Sequence, residues 1–401
     1  MLSFEEALSR LLAAVQPLAE VRSLPTLAAA GRVLAVAQQA TVDAPPLDNS
    51  AMDGYALAVT DVPQPGVRLP ISQRIAAGSV GGQLQPGSAA RIFTGAPIPP
   101  GADAVVMQEL CEHAAGSVLV NHLPRVGENI RRAGSDIAAG CEILPVGQRL
   151  RPQDTALAAS VGIAALPVFR RLRVAVLCTG DELRMPGEPL SPGAIYNANR
   201  FLLTALLQRL GCVVQDLGQV ADTLATTRQA LRAAALDNDL VISSGGVSVG
   251  DEDHVKAAVE LEGRLDLWKI AIKPGKPLAF GQLAAGGRSV AFVGLPGNPV
   301  SCFVTFLMLV RPLILRMQGA QQVAPASYLL PADFDWLRAD ARREFLRARS
   351  NIEGSVALFP NQASGVLTST VWGDGLVDNP PQQVIRRGDR VRFMPFSAFL
   401  D

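Results

Sequence analysis

The sequence predicts a multidomain α/β protein, with a doubly wound sheet domain at its centre and smaller β-rich units around it. Three observations predict this. Over residues 171–318, apolar β-type runs alternate with helical patterns, as in strands joined by helical crossovers. Within that stretch two glycine-rich loops each follow an apolar run and open a helix. At 45–145 and again after 326, the pattern breaks into short Val/Ile-rich pieces separated by Gly and Pro.

Composition narrows the function classes. The chain has 401 residues, enough for two to four domains, and is 49% hydrophobic, so it can bury substantial cores. Lys+Arg and Asp+Glu both number 36, so bulk charge makes no case for nucleic acid or an anionic membrane as partner. The longest apolar run, 300–310, is too short to span a bilayer and ends at Arg311. Glu5 and Glu6 stand where a signal peptide would be basic, so a cytoplasmic protein is expected. Cys111, Cys141, Cys178, Cys212 and Cys302 are scattered and are expected as free thiols.

The elements follow in chain order. Ser3 and Glu6 form a capping-box pattern ahead of an amphipathic helix over 3–15. A second helix is expected over 150–161, so that residues 1–44 and 137–169 form a helical stalk. Residues 45–136 form an inserted β-rich module. Residues 170–320 form the α/β domain, with strands over 172–178, 212–216, 239–243, 265–272 and 289–293 in a parallel sheet. Its helices fall at 199–210, 223–236, 253–261 and 299–317. Residues 326–401 form a small β-barrel or sandwich.

The chemistry concentrates in the loops. Residues 243–251, SSGGVSVGD, make a strand-to-helix turn of hydroxyls and glycines, a cradle for phosphate or another oxyanion, or else a tight capped turn. The turn matches neither a Walker loop nor a dinucleotide fingerprint. In 273–277, Lys273 and Lys276 stand on a proline-stiffened turn that holds both ammonium groups near one site. The loop 295–301 supplies Asn298, Pro299 and Ser301 at a helix start. Thr179–Gly180–Asp181–Glu182 ends the first strand of the α/β domain; its carboxylates could hold a metal, bond ring nitrogens or cap a helix. Asp222 reads equally as a helix cap or a site acid, and Asp253 lies where a metal bridging phosphates could sit. Two polar loops of the β module, 48–56 and 127–136, carry Asp53, Asp136 and a pair of arginines. Each reads as an Asx-type turn or as a site component.

These motifs resemble the molybdopterin molybdenumtransferase family, to which the E domain of gephyrin is also similar. The matching stretches are DNSAMDGYA (48–56), RIFTGAPIPPGADAVVMQE (91–109), GENIRRAGSDI (127–137), TGDEL (179–183), SSGGVSVGDED (243–253), AIKPGKP (271–277) and GLPGNPVS (294–301). The resemblance implies a helical stalk with an inserted β module, a molybdopterin-binding α/β domain and a C-terminal β-barrel. It implies an elongated homodimer with each active site shared between subunits, and transient contact with other proteins of molybdenum cofactor synthesis. The implied reaction inserts molybdate into adenylylated molybdopterin, releases AMP and requires Mg2+.

Carried over onto this chain, the resemblance gives Lys273, Lys276 and Ser301 to molybdate. Ser243, Gly245 and Gly246 cradle the pterin or its phosphate. Glu182, Asp222 and Asp253 position pterin or Mg2+, and Asp53, Thr94 and Asp136 complete the site from the partner subunit. In the C-terminal domain the run 342–347, RREFLR, and the Ser364–Gly365 pair match short family patterns, which makes Arg347 and Ser364 candidate molybdate contacts.

Overall fold

The computed structural model describes residues 1–246 and 254–400, with only the backbone of Leu267. The α/β domain holds a six-stranded sheet in the order Val213–Val220, Arg173–Thr179, Leu240–Ser244, Arg288–Leu295, Pro277–Ala285, Gly263–Lys269. The first four strands are parallel, as expected from the crossovers. Only Pro277–Ala285, a strand outside the expected set, runs against the others, antiparallel to both its neighbours, which departs from the all-parallel expectation. The reason is a hairpin. Ala285 pairs with Arg288 across Gly286–Gly287, whose φ angles of 55° and 78° suit a two-residue turn that only glycine adopts easily. The strand Pro277–Ala285 starts at a proline and mixes small residues, so its own pattern is weak.

Helices cover both faces. Leu224–Asp237 and His254–Glu262 bury Leu231, Ala234, Val255 and Val259 on one side. On the other lie Ala198–Arg209 and the continuous helix Pro299–Met317. That helix is long and apolar enough to cross a membrane by composition, yet 94% of its apolar window is buried inside the domain.

The N-terminal helix Phe4–Ala13 is capped as its sequence predicts: Ser3 N–H donates to Glu6 Oε2 at 2.8 Å and Glu6 N–H to Ser3 Oγ at 3.1 Å. Its buried stripe, Phe4, Ala7 and Leu11, joins the core of the α/β domain. It does not pack on the second helix, Pro152–Ser160, which sits in a separate cluster with Leu34, Leu144 and Val168. The expected helical stalk is therefore largely β. Val21–Pro25 pairs with Ala165–Phe169, and Gln38–Gln39 with Glu142–Leu144. An amphipathic pattern says that a helix has a buried face, but not which surface covers it.

The inserted module is a six-stranded sheet in the order Ala104–Met107, Gly54–Leu57, Ala89–Ile92, Val67–Ile75, Ser117–Val120, Cys111–Ala114. In the C-terminal unit, Val356–Leu358, Arg343–Ser350, Gly375–Asn379, Arg390–Pro395 and Tyr328–Pro331 pair antiparallel in that order. A bridge from Ala332 to Val356 joins the two ends and closes a barrel. Ile272–Lys273, from the α/β domain, adds to the edge of this barrel beside Arg343–Glu344. Phe345 packs edge-on against Phe4, ring centroids 5.5 Å apart, so the barrel is anchored in the α/β core.

Candidate active site

At the carboxyl ends of Leu240–Ser244 and Arg288–Leu295 opens a cleft of about 550 Å3, roofed by the C-terminal barrel. Its lining includes Gly245, Gly246, Lys273, Lys276, Ser301 and Ser364, six of the residues that the sequence marks. Such an edge is where open α/β sheets bind ligands. Two close approaches demand glycine. A Cβ on Gly246 (φ +67°) would lie 2.3 Å from Val255 Cγ2, and one on Gly275 (φ +108°) 2.3 Å from Thr305 Oγ1. Asn199 ties the two glycine loops together: its Nδ2 donates to Ser244 Oγ at 2.8 Å and to the Gly297 carbonyl at 2.7 Å.

The two lysines differ. Lys273 Nζ donates to Glu344 Oε1 at 3.0 Å and lies 3.3 Å from Asp340 Oδ2. Glu344 is 1% exposed, and its second oxygen accepts from Trp336 Nε1 at 2.7 Å and Asn379 Nδ2 at 3.3 Å. Partial burial pulls the Lys273 pKa down, but the bonds to Glu344 and Asp340 outweigh it and hold the ammonium above the ordinary lysine range. Arg342 grips Asp340 with two parallel bonds, 3.0 and 2.9 Å, and holds that carboxyl well below the usual carboxylate range. Lys276 is exposed and makes no ion pair among the described residues. Among the described residues, Lys273, Lys276 and Arg342 stand against two carboxylates, an excess of one positive charge centred on Lys276 and suited to an anion.

Residues 2–162 match the family model of the MoeA N-terminal region (domain I and II), 175–316 that of a probable molybdopterin binding domain, and 330–396 that of the MoeA C-terminal region (domain IV). The chain is similar to the molybdopterin molybdenumtransferase of Haemophilus influenzae, 43% identical over 86% of this chain and 85% of that one. It is also similar to molybdopterin molybdenumtransferase 2 of Mycobacterium tuberculosis, 38% identical over 90% and 91% of the two chains. The chain belongs to the molybdopterin molybdenumtransferase family. Its fold is similar to that of the molybdopterin biosynthesis MoeA protein of Pyrococcus horikoshii, with TM-score 0.86 and 28% identity over 98% of this chain and 100% of that one.

The remaining candidate residues of this molybdenumtransferase-family chain fall elsewhere. Arg347 does not reach the cleft. It is 1% exposed and spends its donors on Ser369 Oγ, the Phe345 carbonyl and the Ala363 carbonyl. Burial pulls its pKa down to about 10. It braces the 362–369 loop from behind, while Arg342 lines the cleft in its place. Strand alternation separates the two, since Arg343, Phe345 and Arg347 share one face and Arg342 and Glu344 the other. That parity was the available signal.

Ser243 lies fully buried beneath the cleft, and its Oγ has no hydrogen-bond partner among the described residues. Glu182 is exposed in the turn after Arg173–Thr179, its carboxylate folded against Gly180. Asp222 is half-buried just before Thr223, and Thr223 is the residue that caps the following helix. Neither Glu182 nor Asp222 lines the cleft. Asp253 lies outside the described residues.

Asp53, Thr94 and Asp136 are all on the β module and do not line the cleft of their own chain. Asp53 Oδ1 accepts from Thr94 N–H and Thr94 Oγ1, both at 2.8 Å, and these bonds hold its pKa below the usual range. The ladder of Asn49–Ser50 with Ile130–Arg131 joins the two polar loops. Asp48 takes Arg132 at 2.6 Å, which commits that arginine to the fold.

Proposed function

We propose that this enzyme transfers molybdenum from molybdate into adenylylated molybdopterin and releases AMP. The observation that carries the proposal is the cleft itself: an unpaired lysine and a carboxylate-buttressed lysine face two glycine loops at the edge of a molybdopterin-binding domain. Both substrates are anions, so their encounter needs fixed positive charge. Charge held in place before the reaction costs no reorganisation as the transition state forms. In this reading Lys276 meets the oxyanion directly. Lys273, locked by Glu344 and Asp340, supplies a second ammonium whose position does not drift. The glycine loops let the pterin phosphate approach the backbone.

The reading extends to a homodimer in which Asp53, Thr94 and Asp136 of the partner subunit complete each cleft. Their position on a module away from their own cleft, with Thr94 and Asp136 exposed, supports it. Mg2+ is part of the proposal, but the described residues contain no group of three His, Cys, Asp or Glu side chains that could hold a metal. A magnesium site resting on one or two carboxylates and substrate phosphates fits that composition, and no step is assigned to the ion. Transient contact with other proteins of cofactor synthesis and a cytoplasmic location belong to the same reading.

The test is direct. The purified protein is incubated with adenylylated molybdopterin, molybdate and Mg2+, and AMP is measured. Molybdate-dependent AMP release with formation of active cofactor is expected. Binding of both substrates without AMP release, under conditions where an authentic family enzyme turns over, would refute it.

A further inference from the structure

The β module carries a second concave site that the reaction above does not use. Its volume is about 580 Å3, and Tyr55, Arg74, Arg91, Gln108 and His113 line it. Three of these residues form a row across adjacent strands, because Tyr55 pairs in register with Arg91, and Arg91 with Arg74. The Arg91 guanidinium lies 5.1 Å from the Tyr55 ring centroid and 4.8 Å from that of Phe93. Arg74 lies 4.6 Å from the same Phe93 ring.

Two guanidinium groups are thus gathered on one aromatic ring, and neither forms an ion pair among the described residues. The carboxylates of this neighbourhood are engaged elsewhere: Asp53 accepts from Thr94, and Glu109 from Gln108. Arg91 spends two bonds on its frame, to the Gly54 carbonyl at 3.1 Å and Gln108 Oε1 at 2.6 Å. Arg74 makes no hydrogen bond among the described residues. The Tyr55 hydroxyl meets His113 Nδ1 at 3.2 Å, and His113 Nε2 has no hydrogen-bond partner among the described residues. The inventory is donors in excess and rigid guanidinium forks without an ion pair, which suits a tetrahedral oxyanion.

We propose that the cleft between Arg74, Arg91 and His113 is a second oxyanion-binding site, separate from the Lys273–Lys276 cleft. The Phe93 and Tyr55 rings pack against the guanidinium groups, and the oxyanion supplies the ion-pair partner that both arginines lack among the described residues. The same chemistry is offered by a nucleotide phosphate and by free molybdate, and the site stands close to Asp53, whose carboxyl feels the Arg91 charge.

The test reads binding and not insertion, so its failure is distinct from failure of the proposed reaction. Lys276→Ala protein, with the first cleft weakened, is titrated calorimetrically with inorganic phosphate, molybdate and AMP in turn. One saturable site is expected, weakened at least tenfold by adding Arg74→Ala, restored in large part by Arg74→Lys, and weakened by salt. Tightest binding of AMP assigns the site to a nucleotide phosphate; tightest binding of molybdate assigns it to the free oxyanion. The absence of a saturable site for all three probes, or binding unchanged by Arg74→Ala in protein with an unaltered melting curve, overturns the proposal.

Discussion

The cleft of the α/β domain and the Asp53 acid of the β module are built in opposite ways. Around Lys273 every charge is answered within the chain: Glu344, Asp340 and Arg342 interlock, and Trp336 and Asn379 fix Glu344 from behind. The half-buried Asp53 carboxylate has one hydrogen-bond partner residue among the described residues, Thr94. The first region pairs its charges within one chain, while Asp53 is proposed to serve the cleft of a partner subunit. The difference shows that closeness in sequence order is no guide to which residues share a cleft. Lys273 is held by residues about 70 positions away in sequence, while Asp53 stays apart from the lysines it is proposed to serve.

The largest effect is expected from removing Lys276, which makes no ion pair among the described residues. Lys276→Ala should lower insertion about 100-fold to 1,000-fold, the usual cost of deleting a preorganised charge-stabilising group, with an unchanged melting curve; AMP release assays check it. Normal turnover in that variant would break the contrast between paired and unpaired lysine. Asp53→Ala should also abolish activity, and mixing its subunits with Lys276→Ala subunits should restore part of it, since one cleft in each mixed dimer would then be intact. Demonstrated mixed dimers without recovery would confine the site to one chain.

Glu344→Ala should destabilise the fold by about 1–3 kcal/mol, because it leaves Trp336 and Asn379 donors buried without an acceptor. Glu344→Gln should lose less, and denaturant melts of the two variants measure the difference. Gly246→Ala should cost about 1–2 kcal/mol from its left-handed backbone alone, with more from the Val255 contact.

The smallest effect is in pH. The Asp340 carboxyl is depressed, so its stabilising contribution is present above the ordinary value of 3.8 and is lost as pH falls below it. Lys273 is raised, so its contribution is present below 10.5 and fades as pH climbs beyond it. Melts of wild type and Asp340→Asn should therefore converge toward strongly acid pH. Parallel curves down to that range would separate Asp340 from the network.

Much of this was legible in the chain. Crossover alternation, the Ser3–Glu6 capping box, the glycine loops and the lysine turn are local patterns, and local patterns report backbone geometry and which residue types crowd one segment. They marked six of the residues that meet in the cleft. They did not report long-range partners. The helix Phe4–Ala13 was legible as amphipathic, but its docking on the α/β sheet depended on which apolar surface was left uncovered. The hairpin at Gly286–Gly287 reversed one strand, Pro277–Ala285, where crossovers alone suggested a parallel sheet.

The sequence by itself determined the family, the alternating pattern of the α/β domain and the glycine and lysine loops of the cleft, because periodicity, turn chemistry and charge act within a few residues. Only the tertiary structure decided that Lys273 is buttressed and Lys276 is not, that Arg342 rather than Arg347 faces the cleft, and that Asp53 stands outside it. Burial and pairing are settled when segments distant in sequence compete for the same space, and no local pattern encodes the outcome of that competition.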